Sequence, residues 1–250
     1  MAGDSRGWQG AVLKAMRAPD YTLTVTGKSE ITPHFLRVSF TAGGMLSERE
    51  IHPTHWVRLW FPNGKGALQQ RGYTLVNPDS AHDSVDIDFA LHEGMAANWA
   101  AAVEPGATIT ATVMGSKFAL PTPAPTGYVI VGDTASLPAI RTLLAAIGDA
   151  PARVWLEWQH EDDRSIPLPH GDSAEVTWVR RADSGAALVA AVRAAAVDSP
   201  HHFGWVACEA RTTRAVVAVL RDDFKIDKRS VKSQAYWVSG GLLGRRKSDS

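Results

Sequence analysis

The stretch Leu120–Ile140, LPTPAPTGYVIVGDTASLPAI, decides how this chain is read. Its prolines at 121, 123 and 125 disfavour a packed element and favour an extended connector, so a domain boundary is expected within Leu120–Gly127. Immediately after it, Tyr128–Gly132 is a continuous apolar run, the pattern of a strand buried on both faces. Leu137–Ile147 then reads as a helix that tolerates Pro138 in its first turn. Strand and helix continue to alternate: Val154–Trp158, Val176–Val179, a helix near Ala186–Ala196, Phe203–Ala207, and a helix near Thr213–Phe224. Such alternation predicts a parallel sheet covered by helices. The turn Gly132–Ser136 sits at the carboxyl edge of that sheet, where open α/β sheets bind ligands, although a plain capped helix has the same pattern.

Upstream of the connector the period changes. Tyr21–Thr26, Phe35–Thr41, Trp56–Phe61, Arg71–Val76, Ser84–His92 and Thr108–Met114 are short alternating segments. In the fifth, Val85, Ile87, Phe89 and Leu91 share one face, while Asp86 and Asp88 point the other way. Six such strands predict a small antiparallel barrel. The expected organisation is therefore a barrel domain over 1–122, an α/β domain over 127–238 and a tail over 239–250 that reads as a tether or a frayed terminus.

Composition narrows the function classes. The 250 residues carry 26 Lys plus Arg and 26 Asp plus Glu, so no global positive field exists to hold a nucleic acid. Cys208 is the only cysteine, which excludes an intrachain disulfide and any multi-cysteine zinc or iron–sulfur site. No segment approaches the roughly 20 continuous apolar residues of a membrane-spanning helix, and Met1–Arg17 has no signal-peptide core. No GxGxxG follows a strand, Gly27-Lys28-Ser29 lacks the first glycine of a phosphate loop, and no GxSxG is present. His52 with His55, and His201 with His202, lack a third ligand, so no metal site is expected.

Two segments in the first half bear on chemistry. On a strand, Arg71 and Tyr73 share one face and Thr74 takes the other, which would let Arg71 meet a phosphate while Tyr73 offers a ring to a planar cofactor. Surface residues give the same pattern. Leu91-His92-Glu93-Gly94 leads into Met95–Ala100, a helix start whose small residues Ala96 and Ala97 leave N–H groups reachable by an anion. The alternative is a helix plugging the barrel, with Trp99 in its core.

Taken together, these segments resemble the siderophore-interacting protein family of NAD(P)H-dependent ferric-siderophore reductases. RGYT (71–74), FALHEGMAANWA (89–100), GDTASLPAI (132–140), WVACEA (205–210) and the terminal Tyr236-Trp237 carry the likeness, in order, over nearly the whole chain. RGWQGAVLKAM (6–16), Ile31–Phe35 and Gln234–Trp237 resemble in particular the amino-terminal domains of mycobacterial ABC importers for iron-loaded mycobactins.

The resemblance implies a two-domain ferredoxin-reductase-like fold. It implies FAD held by Arg71, Tyr73, Thr74, Leu91, His92, Gly94, Ala96, Ala97 and Trp99, and NADPH over Asp133, Thr134 and Ser136. Tyr73, Thr74 and Glu209 would be catalytic, and a returning strand Ser233–Val238 would let Tyr236 and Trp237 cover the flavin, unless both aromatics simply pack the sheet. Implied partners are a ferric siderophore of the mycobactin or carboxymycobactin type and the membrane domains of an ABC transporter heterodimer, with the chain on the cytoplasmic side of the inner membrane and continuing past Ser250. Alternatives are a docking domain with little turnover or a flavin reductase. Met95 stands where the family has proline, Ala97 where a small polar residue is usual, and Cys208 where glycine is common, so a thiol beside Glu209 bears on nicotinamide access. Arg180, Arg181, Arg211 and Arg214 are candidates for a 2′-phosphate.

Overall fold

The structure is a computed structural model and describes residues 6, 18–64, 66–113, 118–196 and 199–240. The chain divides into two compact units, Met1–Ala119 and Leu120–Ser250.

In the first unit, β1 (Asp20–Thr32), β2 (Phe35–Thr41), β3 (Trp56–Pro62), β4 (Leu68–Thr74), β5 (Val76–Asp79), β6 (Ser84–Ala90) and β7 (Thr108–Val113) form one antiparallel sheet in the order β4-β3-β7-β1-β2-β6-β5. A four-residue helix α1 (Met45–Glu48) and α2 (Met95–Ala102) complete it. The expected strand Arg71–Val76 is in fact two strands that part at Leu75. β4 and β5 are consecutive in the chain yet lie at opposite ends of the sheet. Laid flat, seven strands would span about 29 Å, whereas Thr74 to Val76 reaches about 7 Å at most. The sheet must therefore curl into an open half-barrel, and the Leu75 N–H bonds back to His55 O at 2.9 Å to hold the corner.

Alternation fills the interior: Val38, Phe40, Val57, Leu59, Phe61, Ile87, Phe89 and Ala111 are fully buried. On the other face, Arg37 on β2 meets Asp88 on β6 through two hydrogen bonds, Nε at 2.7 Å and Nη2 at 2.9 Å. β6 ends at Ala90, two residues earlier than expected, because the Leu91 N–H turns to His34 O. Met114 and residues 7–17 of the opening segment lie outside the described residues.

The second unit holds β8 (Tyr128–Asp133), β9 (Ala152–Trp158), β10 (Ala174–Arg180), β11 (Phe203–Ala207) and β12 (Val231–Ser233) in a parallel sheet ordered β10-β9-β8-β11-β12. Its helices are α3 (Leu137–Ile147), α4 (Ala186–Ala194) and α5 (Ala210–Asp222). Central strands β8 and β11 are buried at every residue, as strands sandwiched between helix layers must be. In α3, Leu137, Ile140, Leu143 and Leu144 recur at helical spacing and bury one face, and Gly148 closes the helix at φ 57°.

One expectation fails. Ser233–Val238 is not a strand: β12 ends at Ser233, and beyond it only an isolated bridge joins Trp237 to Glu209. The tail beyond residue 240 lies outside the described residues. Among the described residues no helix is long and apolar enough to cross a membrane.

Candidate functional site

Among the described residues of the first unit, buried polar atoms without a hydrogen-bond partner occur at Thr32, His55, Arg58, Gln70 and Asp83. β4 is a sheet edge, so one side of its backbone is open. Arg58 Nε and Gln70 Oε1 are buried without a hydrogen-bond partner, as are both ring nitrogens of His55. Arg58 lies opposite Gly72 in the β3–β4 register, and His55 O receives the Leu75 N–H just beyond RGYT. Unpaired buried polar atoms are rare in folded proteins, and by the alternation of the β3–β4 ladder those of Arg58 and Gln70 lie on the sheet face opposite Arg71 and Tyr73. Arg71 is half-buried and donates Nη1 to Gln70 O at 2.8 Å.

Tyr73 departs from the sequence expectation. Its ring packs 4.4 Å from Phe89 and 5.9 Å from Phe61, within the barrel's aromatic cluster, so only part of it is open to a ligand. Burial pushes its hydroxyl above the usual phenol range, and Thr74 is buried.

Gly94 precedes α2 and no side chain caps it, so its first N–H groups are not claimed by a side-chain acceptor. A Cβ at Gly94 would lie 3.2 Å from the His92 ring, whose Nδ1 sits 2.8 Å from Glu93 O. Leu91 is half-buried against the core, and the Ala96 and Ala97 side chains are buried, which leaves their N–H groups for binding. Trp99 packs 5.4 Å from Phe61 and supports the barrel. A half-buried guanidinium on β4 and an uncapped helix start at α2 are donors of the kind that a phosphate-bearing ligand takes.

The second unit presents a different arrangement. Its strand order reverses between β8 and β11, so the crevice beyond their carboxyl ends is the topological switch point. Asp133 ends β8, Glu157 lies opposite it on β9, and Cys208-Glu209 follow β11. Asp133 Oδ1 accepts from the N–H groups of Ala135 at 3.1 Å and Ser136 at 3.2 Å, and Oδ2 accepts the Trp237 indole N–H at 2.7 Å. Burial pushes the Asp133 carboxyl up, opposed by these donors and by Arg181.

Glu209 caps α5, accepting from Arg211 N at 2.5 Å and Thr212 N at 3.2 Å, with Ser239 N at 3.4 Å. Although burial raises it, these N–H groups hold its carboxyl below the ordinary range. The Glu209 carboxylate is therefore occupied in a helix cap. Ser136 corrects the reading too: its side chain is fully buried and its hydroxyl bonds to Asp133 N and O within the turn, so it does not face a ligand. Gly132 is needed for this packing, since a Cβ there would meet Ser136 Oγ at 2.2 Å. Thr134, at the tip, stays half-exposed.

Cys208 is a buried free thiol pushed up to about 12, chiefly by burial, and touches Thr213 at 3.4 Å. Tyr236 turns its ring edge to Trp205, and Arg181 stacks 4.6 Å over Trp237. Of the four arginines, Arg181 is drawn to Glu157 and Trp237, Arg180 lies over Trp158 at 5.8 Å, and Arg211 and Arg214 are exposed on α5.

Sequence reading weighed His55 only as a metal ligand beside His52, and missed Arg58 and Glu157. A detectable signal existed only for Glu157, the sole charge within the buried run Val154–Trp158.

Sequence models place both units. One described as siderophore-interacting protein matches residues 125–240, and one described as siderophore-interacting FAD-binding domain matches residues 64–115. The chain belongs to the siderophore-interacting protein family. It is 37% identical over 98% of its length to the mycobactin import ATP-binding/permease protein IrtA of Mycolicibacterium thermoresistibile, of which it spans 28%. It is 23% identical to the ferric vibriobactin reductase ViuB of Vibrio cholerae, covering 85% of this chain and 87% of ViuB. A siderophore utilization protein from T. fusca superposes with TM-score 0.78 at 23% identity, over 90% of this chain and 94% of that one. Ferredoxin reductases share the fold as well.

Proposed function

We propose that this siderophore-interacting protein uses FAD to pass electrons from NADPH to ferric iron in a siderophore of the mycobactin type, releasing ferrous iron. The match of the FAD-binding family model to residues 64–115, which hold both Arg71 and the uncapped start of α2, carries this reading. In it, Arg71 and the uncapped α2 start hold the pyrophosphate, while Tyr73 and Thr74 border the flavin ring. Leu91, His92 and Gly94 set the approach to α2, with Ala96 and Ala97 offering N–H groups. FAD, when bound, supplies an acceptor for an electron pair that can be passed on singly. The protein's own task is to bind, orient and exclude water. A ferric chelate that accepts electrons needs no protein ligand to iron.

On the second unit, NADPH would take the switch-point crevice beside Asp133, Thr134, Tyr236 and Trp237. The likeness to IrtA supports association with the membrane domains of an ABC importer, at the cytoplasmic side of the inner membrane. The test is the absorption spectrum of the purified chain before and after anaerobic NADPH, followed by ferric mycobactin with a ferrous-specific chelator. The reading requires flavin bands, bleaching by NADPH, and recovery of the bands with ferrous iron trapped.

A second reading has an observation of its own. Asp133 already takes the Ala135 and Ser136 N–H groups that an anion would use, and Trp237 lies over the same edge. A flavin-bearing docking domain with slow turnover is consistent with that occupancy, and would show flavin bands that NADPH fails to bleach.

A further inference from the structure

Among the described residues, Glu157 is the one acidic side chain at the switch point whose oxygens are not satisfied. Its side chain is 5% exposed, Oε1 has no hydrogen-bond partner among the described residues, and Oε2 has Arg181 Nη1 at 3.7 Å, beyond hydrogen-bond reach. Its neighbours are all engaged. Asp133, from β8, has three donors, and Glu209, after β11, caps α5. Asp163, on the turn after β9, accepts at Oδ2 from the N–H groups of Gln159 and His160. Cys208 is a neutral thiol. Among the described residues, Arg181, following β10, is the one cation drawn to Glu157.

Burial pushes both Asp133 and Glu157 up, but three donors resist it at Asp133 and only the distant Arg181 does so at Glu157. The pair cannot ionise equally, so Glu157 holds the proton, giving it up at about 7. Below that point the cluster of Asp133, Glu209 and Arg181 carries a single excess negative charge; above it, two.

We propose that Glu157, through the second negative charge it adds beside Asp133 and Glu209, discriminates between the neutral reduced ring and the cationic oxidised ring of a nicotinamide nucleotide bound at this edge. The inference rests on the reading of the second unit as the NADPH site. Charge is the physical lever: the oxidised ring gains from an added carboxylate, and the reduced ring does not. At intermediate dielectric and with salt screening, one added charge nearby changes the affinity of a cation by about three- to tenfold. The same field favours the charge that develops on the ring as it is oxidised.

The test is calorimetric titration of the full chain, freed of FAD so that NADPH is not consumed, with NADP+ and with NADPH between about pH 6 and about pH 8.5. The quantity read is the ratio of the two dissociation constants, in which the titration of the shared 2′-phosphate cancels. The affinity for NADP+ should rise about three- to tenfold over NADPH across that range in the wild type. The ratio should stay flat in Glu157→Gln, which keeps the shape and removes the charge. Glu157→Asp should keep the rise at a shifted midpoint, and serves if the glutamine variant does not fold. A flat wild-type ratio, or a rise that persists in Glu157→Gln, overturns the inference while leaving the NADPH site standing. Binding of neither nucleotide overturns both.

Discussion

The Trp237 indole N–H donates to Asp133 Oδ2 at 2.7 Å across 104 residues of sequence, tying the segment after β12 to the end of β8. The tie is reinforced on both sides. Ala210 N bonds to Trp237 O at 3.0 Å, Tyr236 N to Cys208 O at 3.0 Å, and Arg181 covers the indole face. A tryptophan can serve here because one end of its ring is polar and the rest packs.

Trp237→Phe keeps the ring and its cation contact but strands Asp133 Oδ2 in a buried place. Loss of about 1–3 kcal/mol of stability is expected in urea unfolding. A cycle with Asp133→Asn should show coupling of similar size; additive effects would mean that the bond contributes nothing.

Glu157 makes stability depend on pH in the direction opposite to an ordinary carboxylate. Its folded-state value of about 7 lies above the unfolded one of 4.5, so the folded protein binds more protons between them. Stability therefore falls as pH rises from about 4.5 to about 7 and levels off above, by on the order of 2–3 kcal/mol. Glu157→Gln should be more stable than the parent at about pH 8 and should lack this slope. Identical urea midpoints at that pH would refute the assignment.

Much of the fold is legible because periodicity is a backbone property. Phe35–Thr41, Leu137–Ile147 and Phe203–Ala207 begin and end where the pattern says they should. What the pattern hides is where hydrogen bonds go. Nothing in RGYTLV announces that the chain changes sheet edges at Leu75, since that corner depends on His55 O, distant in sequence. The site is less legible for the same reason. Ser136 reads as a ligand-facing hydroxyl until Gly132 and Asp133 fold around it. Glu209 reads as chemistry until the N–H groups of Arg211 and Thr212 claim it.

That correction changes what a Ser136 variant should do. A leucine there must enter a fully buried space whose wall is Gly132, and it also removes both hydroxyl bonds. Ser136→Leu is expected to destabilise the protein by about 3 kcal/mol or more. Thr134→Leu, at the half-exposed tip, should stay within about 1 kcal/mol in thermal unfolding. Comparable stability of the two would contradict the turn as described.

Arg71 offers the reverse case, a residue whose loss should spare the fold. The hydrogen bond described for its guanidinium goes to the neighbouring Gln70 O. If it pairs with the FAD pyrophosphate, Arg71→Ala should weaken FAD by about 10 to 150-fold, the equivalent of 1.5–3 kcal/mol, at a nearly constant melting temperature. Equal FAD titrations for variant and parent would remove Arg71 from the site.

His55 gives the first unit its own acid sensitivity. Burial, then the charges of His52 and Arg49, lower it to about 4. The unfolded chain takes up that proton near 6.5, so the stability is whole above 6.5 and is lost as pH falls through about 4. The sign is opposite to that of Glu157, and the two groups lie in different units, so acid should loosen the barrel while leaving the α/β unit comparatively firm. His55→Leu retains the carbonyl that holds Leu75 and removes the titrating ring, whose nitrogens have no partner to lose. At about pH 5 it should exceed the parent by on the order of 2 kcal/mol, read from urea unfolding of the apoprotein, and the gap should close by about pH 7.5. Because His55 O closes the corner just beyond RGYT, the same variant also asks whether its ring nitrogens meet the flavin. Weaker FAD binding despite a more stable barrel would place His55 in the site, whereas an unchanged acid midpoint would mean that the ring is not the group that titrates.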